Sequence, residues 1–250
     1  MVAGNRWQFQ CGVIGILLFI CTGGFASEVD PVRLFEKDSY RLNGHMEVLR
    51  DETNNLDIDD VVSETYQHKF YQDDGEILNL GVSPHTYWIK VDLLYPDQYP
   101  NSTVEKQWYL EVGKALLGVA ELYVPQGDGS YLVKSSDSRQ PFSRKEIVHV
   151  NSVFPITTEL GQKLRLYIKV QNTSSALHFP LILWNPPEFS EKVAKEEFVY
   201  GLFFGGMLIL LAYNIFLYIS IRDGCYLYYV VYLGSVTLFE LFEIGHGAIH

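Results

Sequence analysis

Residues 198–221, FVYGLFFGGMLILLAYNIFLYISI, carry no charge and exceed the roughly 20 apolar residues that a bilayer core demands. They predict a slightly tilted spanning helix, and everything before them must then lie on one side of a membrane. Arg222, Asp223 and Gly224 suffice to turn a chain between antiparallel helices, and a second apolar run covers residues 225–245. Together they predict a transmembrane α-helical hairpin over 198–250. Within it, Gly201 and Gly205 form a small-xxx-small pair that permits close helix approach. Asn214 is expected to face a partner helix or a polar cavity rather than lipid. Glu240 and Glu243, near the outer end of the second span, are candidates for coupling an outer domain to the helices; the plainer alternative is that they reach interfacial water.

Average composition hides this division. Of the 250 residues 48% are hydrophobic, a value that a soluble protein also shows. The formal charge of -11 leaves no basic face for a nucleic acid and suits a site away from the anionic inner leaflet. Cys11, Cys21 and Cys225 all lie in apolar segments, so the body between them offers no disulfide or thiolate metal site. The seven histidines show no HExxH spacing, and no P-loop, dinucleotide fingerprint or G-x-S-x-G elbow occurs. No cofactor or metal is expected.

At the N-terminus, Arg6 precedes the apolar run CGVIGILLFIC, and Gly24 and Ala26 are the small residues that a cut after Ala26 requires. Residues 1–26 therefore predict a secretory signal peptide, with an uncleaved anchor as the alternative. A lipoprotein signal fits less well, because Phe19 and Ile20 before Cys21 are bulky. The chain beyond Ala26 is expected to be exported.

Residues 27–187 predict a mainly β, jelly-roll-like antiparallel sandwich. Phe35, Tyr40, Leu42, Met46 and Val48 are expected inward positions of two short strands around the turn pair Asn43-Gly44. Asp57, Asp59 and Asp60 lack EF-hand spacing and read first as a solvated acidic loop; Asp73, Asp74, Gly75 and Glu76 read as a turn. Tyr87, Ile89, Val91 and Leu93 alternate with Trp88, Lys90 and Asp92, which marks a strand with one buried face. Trp108, Leu110 and Val112 alternate with Tyr109 and Glu111. Residues 119–124 form a further strand, and Gly127, Asp128, Gly129 and Ser130 punctuate a hairpin into 131–133. Residues 147–156, 164–171 and 179–184 complete the set. Residues 188–197 are a charged linker of helix formers, read as a helical extension of the first span.

Strand parity supplies the candidate ligand surface. If apolar faces point inward, then Trp88, Lys90, Tyr109, Tyr123, Arg165, Tyr167 and Lys169, with Glu111, Glu121 and Gln171, point outward and are able to share a sheet face. Aromatics interleaved with polar groups suit sugars, whose apolar faces stack on rings while polar groups take the hydroxyls. Any half-exposed sheet carries such residues too, and Trp88 equally suits seating the domain against a loop.

The residues 81–93 (GVSPHTYWIKVDL), 108–112 (WYLEV), 121–124 (ELYV), the region of Arg139 and Pro141, and 166–180 (LYIKVQNTSSALHFP), followed by 200–218 (YGLFFGGMLILLAYNIFLY), 222–232 (RDGCYLYYVVY) and Gly245, carry a family resemblance. The chain resembles the bacterial seven-transmembrane receptors with diverse intracellular signalling modules, specifically their type 2 extracellular domain and the start of their membrane domain. That resemblance implies a periplasmic jelly-roll sensor, similar to carbohydrate-binding modules. It would sit on helices in the inner membrane and pass a signal to a cytoplasmic output module. It implies a small-molecule ligand of carbohydrate type, the lipid bilayer as a partner, and no catalytic residue. The sequence stops after the second span, which leads to the expectation of a truncated or split receptor completed by a partner chain with the remaining helices and output domain. The alternatives are a non-signalling membrane-anchored carbohydrate-binding or adhesive module and, as the enzymatic option, a jelly-roll glycosidase with two carboxylates on distant strands.

Overall fold

In the computed structural model, the described residues are 29–243 apart from 36, 73, 74, 76, 98–104, 114–117, 138–144 and 172–175. The signal-peptide expectation, the turn carboxylates Asp73, Asp74 and Glu76, the region of Arg139 and Pro141, and the side chain of Glu243 lie outside them.

Thirteen strands among the described residues make a sandwich. Strands β1 (Val32–Arg33), β2 (Ser39–Arg41) and β3 (Met46–Asp51) precede the short helices α1 (Ile58–Val62) and α2 (Glu64–Gln67). Then come β4 (Tyr71–Gln72), β5 (Leu78–Gly81), β6 (Thr86–Leu94), β7 (Glu105–Val112), β8 (Val119–Pro125) and β9 (Tyr131–Asp137). After them come β10 (Ser152–Glu159), β11 (Lys163–Gln171), β12 (Leu177–Phe179) and β13 (Leu181–Trp184). The larger sheet runs β4-β3-β6-β11-β8-β9, with β1 beside β6 in parallel; the smaller runs β10-β7-β13-β2, and β12 pairs β5. Apart from β1 the pairings are antiparallel.

The alternation seen in the sequence becomes the inner faces. Tyr87, Ile89, Val91 and Leu93 of β6 meet Leu164, Leu166, Ile168 and Val170 of β11, and both face Trp108, Leu110 and Val112 of β7 across one continuous core. Trp108 is wholly buried within it, with Tyr40 edge-on at 5.6 Å. Tyr40, Leu42, Met46 and Val48 are inward as expected, but Phe35 is exposed. The Asn43-Gly44 turn does not close a hairpin. It carries the chain from the smaller sheet, where β2 pairs β13, to the larger, where β3 pairs β6. The 127–130 hairpin does form, with Gly129 at φ 85° and the Asp128 carboxylate accepting from the Ser130 amide.

Two long helices complete the described chain, α3 (Pro186–Ile221) and α4 (Gly224–Glu243). Both are long and apolar enough to cross a membrane and expose their apolar side chains. Between them Arg222 takes the left-handed conformation and its N–H donates to the Tyr218 carbonyl, ending α3; the Asp223 carboxylate then accepts from the Cys225 amide to start α4. Residues 188–197 are part of α3 without a break.

Candidate functional site: the outer face of the larger sheet

The β3, β6, β11 and β8 registers build two cross-strand rows on the face opposite the core. Leu49 lies opposite Trp88, Trp88 opposite Lys169, and Lys169 opposite Glu121; next to them Glu47, Lys90, Tyr167 and Tyr123 form the second row. Asp92 and Arg165 form a third pair. Neighbours at this spacing touch. Trp88 and Tyr123 rings lie 5.1 Å apart, the Lys169 ammonium is 5.1 Å above the Trp88 ring, and Lys90 pairs Glu47 at 2.7 Å while lying 4.7 Å above Phe70. The Tyr123 hydroxyl donates to Glu121 at 2.9 Å. Burial, and then that carboxylate, push the Tyr123 phenol well above its ordinary pKa. Burial pulls the Asp92 carboxyl upward, but bidentate bonds from Arg165, both 2.7 Å, and the ammonium of Lys163 outweigh it and hold it below the usual carboxylate value.

Six of the seven candidate ligand residues thus share one face, but this face is not open to solvent. Trp88 is wholly buried, and Lys90, Tyr123 and Tyr167 are nearly so; Arg165 and Lys169 are half-buried. The cover is the segment 56–70, whose Leu56, Val61 and Phe70 pack with Leu49, Trp88, Tyr123 and Tyr167 into a second apolar cluster. Both faces of β6 are therefore buried, where the alternation predicted one. Asp57, read as part of a solvated loop, caps α1 in a reciprocal box with Asp60. The preceding turn is tied by Asp51, whose carboxylate accepts from the amides of Thr53, Asn54 and Leu56.

Polar ties between cover and sheet are long. Gln67 Nε2 reaches the Tyr167 hydroxyl at 3.3 Å, Lys90 Nζ reaches Gln67 Oε1 at 3.4 Å, and Lys169 Nζ reaches the Leu56 carbonyl at 3.4 Å. All exceed the 2.7–3.2 Å typical of good bonds. The Trp88 Nε1–H is buried with no acceptor, an arrangement that costs about 1–3 kcal/mol. Beside the cover a cleft of about 390 Å³ opens, lined by Leu49, Arg50, Glu52, Leu56, Tyr66, Lys69 and Tyr71. Its Leu49 and Leu56 wall backs onto Trp88 through the register and the second cluster.

Tyr109, the seventh candidate, lies elsewhere. Parity places a residue on a face but does not say which sheet carries it. Strand β7 belongs to the smaller sheet, and Tyr109 packs edge-on against Phe189 of α3 at 5.5 Å. Glu111 lies on the same face, 2% exposed.

In the helical hairpin Asn214 is buried, its amide donating to the Leu210 carbonyl one turn back in α3. A Cβ added at Gly201 or Gly205 would meet nothing within 4 Å, so α4 does not use that small pair for close approach. Glu240 is half-buried. Among the described residues, no cluster of three or more histidine, cysteine or acidic side chains has metal-binding geometry.

The family 7TMR-DISM extracellular 2 matches residues 43–185, and 7TM diverse intracellular signalling matches residues 196–250. No curated protein matches the chain. Among solved structures, a carbohydrate-binding module specific for non-crystalline cellulose matches at 11% identity and TM-score 0.24, over 44% of this chain and 70% of its own. A carbohydrate-binding module of the β-sandwich superfamily, described as promiscuous in specificity, matches at 14% identity and TM-score 0.24, over 59% of this chain and 54% of its own. An exo-1,3/1,4-β-glucanase from a Pseudoalteromonas species matches at 15% identity and TM-score 0.24, over 61% of this chain but only 21% of the glucanase.

Proposed function

The chain belongs to the 7TMR-DISM receptors, with an extracellular domain of the second type followed by the start of the membrane domain, and on that premise we propose that it is a ligand-sensing module, not an enzyme. The sandwich lies in the periplasm of a bacterium, held at the inner membrane by α3 and α4. Its ligand is a small, carbohydrate-like molecule. The first span runs inward from the sandwich and the Arg222 turn lies on the cytoplasmic side.

The observation that carries the ligand reading is the pair of cross-strand rows on the larger sheet, where the rings of Trp88, Tyr167 and Tyr123 share a face with the ammonium groups of Lys90 and Lys169. A ligand enters from the cleft beside the cover and displaces it from Trp88, Tyr123 and Tyr167. Its hydroxyls then take over the long ties that Lys90, Lys169 and Tyr167 make to the cover, and supply the acceptor that Trp88 Nε1 lacks. Arg165 borders the same face; Tyr109 has no part in it. Replacing several weak bonds by better ones gives the ligand differential affinity for an opened state, which any ligand-driven change requires.

The test uses the full chain in lipid nanodiscs, titrated with a panel of neutral and acidic oligosaccharides while tryptophan fluorescence and calorimetry are followed. Saturable binding that Lys169→Met weakens about tenfold, or roughly 1.4 kcal/mol, with an unchanged circular dichroism spectrum, is the expected result. Absence of saturable binding across the panel would remove the carbohydrate reading. Binding that Lys169→Met and Lys90→Met leave untouched would move the site off this face.

A further inference from the structure

A single residue, Asn185, separates the last strand of the smaller sheet from the first turn of α3, and its N–H donates to the Asp38 carbonyl at 2.9 Å. Pro186 and Pro187 open the helix, with φ fixed in the helical range. No flexible stretch intervenes between sandwich and span.

Helix positions 189, 192 and 196 recur at the spacing of one face, and that face docks on the smaller sheet. Phe189 is 4% exposed and sits among the rings of Tyr109, His149 and Trp184. One turn on, Lys192 Nζ lies 2.8 Å from Glu111 Oε1 and 3.1 Å from Glu196 Oε1. Glu111 also accepts from Asn151 Nδ2 at 2.6 Å and from the Trp184 indole at 2.7 Å. A buried carboxylate is stable only when it is paired and hydrogen-bonded. Donors from a loop, a strand and a helix all converge on this one, so separating the helix from the sheet strands a charge.

We propose that the Glu111–Lys192 clamp, with Phe189 seated beside it, locks the outer part of α3 to the smaller sheet, so that the sandwich and the first span move as one rigid body. At 1.5 Å per residue the 36-residue helix is about 54 Å long, and a tilt of about 5° at the sandwich displaces its far end by about 5 Å, comparable with a one-turn ratchet between packed elements. Any ligand that reorients the sandwich thereby acts on the membrane directly. This coupling is independent of which ligand binds and of where it binds.

The experiment is a double electron–electron resonance measurement on the full chain in nanodiscs. Spin labels sit at Gly127→Cys, in the exposed β8–β9 turn where an added Cβ meets nothing, and at the exposed Ala194→Cys, about 12 Å along α3 from its first turn. Cys11, Cys21 and Cys225 are replaced by alanine. The expected result is one narrow distance distribution for the parent chain, broadened about twofold or more by Glu111→Gln and by Lys192→Met. A broad distribution in the parent chain would overturn the proposal, as would a width that both variants leave unchanged. Should Glu111→Gln fail to fold, the parent width and Lys192→Met at the partly exposed rim of the clamp decide the question.

Discussion

Removing the cation from the clamp isolates its electrostatic part. Lys192→Met keeps an unbranched side chain of similar length but removes the ammonium that lies 5.8 Å from the Trp184 ring and 5.5 Å from the Phe189 ring, and it leaves Glu111, 2% exposed, without its counter-charge. At 2.8 Å and an effective dielectric of about 20 the gross attraction is roughly 6 kcal/mol. Desolvation of both partners and the one-fifth exposure of the Lys192 side chain reduce this, and Asn151 and Trp184 still serve the stranded carboxylate, so the net loss is about 2–3 kcal/mol. Glu111→Gln costs less, about 1–2 kcal/mol, because Lys192 keeps Glu196. The double variant is expected to lose about 1–2 kcal/mol less than the sum of the two single losses, the coupling of a charge pair in contact. Urea unfolding of the full chain in nanodiscs, followed by tryptophan fluorescence, measures all four corners of the cycle. A Lys192→Met loss within about 0.5 kcal/mol of zero, the range of ordinary surface changes, or additivity across the cycle, would show that Lys192 and Glu111 do not form a coupled pair.

Acid should loosen the same junction. Burial first, and then the nearby Lys192 ammonium, hold His149 below its ordinary pKa of 6.5 against the opposing pull of Glu111 and Glu196. The unfolded chain therefore takes up that proton before the native one does. The contribution is fully present above 6.5 and is lost as pH falls; melting temperatures between pH 8 and 5 should drop, and His149→Gln should flatten that part of the profile. Asp51, Asp92 and Glu111 are held below their ordinary values by hydrogen bonds and cations that outweigh burial, so a second loss is expected below about pH 4.5. Gly161 sits at φ +75°, and a Cβ there would overlap the Asp97 carboxylate; Gly161→Ala should cost about 1–3 kcal/mol through that strain, read by thermal unfolding.

Period-two alternation in β6, β7, β8 and β11 was enough to place the core, because a sheet face must be apolar to be buried and the pattern is local. The Gly127–Ser130 turn was legible for the same reason. What alternation does not carry is the partner of the other face. Trp88 and Lys90 look solvent-facing within β6, and only the folded chain brings Leu56, Val61 and Phe70 over them. The one local hint was Asp57 followed three residues later by Asp60, a helix-capping signal that the density of acidic residues masked. Nor does parity assign strands to sheets, which is why Tyr109 sits away from Trp88. The clamp was out of reach of sequence reasoning, since Glu111 and Lys192 are 81 residues apart and each is ordinary in its own segment. The helical hairpin was the most legible part, because lipid demands an uninterrupted apolar helix.

The sidedness of the sandwich is the claim on which the sensor reading stands. A cysteine introduced at Gly127, in a chain with Cys11, Cys21 and Cys225 replaced by alanine, is treated in intact spheroplasts with a membrane-impermeant maleimide. A sandwich in the periplasm gives full labelling without permeabilisation. Labelling that appears only after the membrane is opened would put the sandwich in the cytoplasm and contradict it.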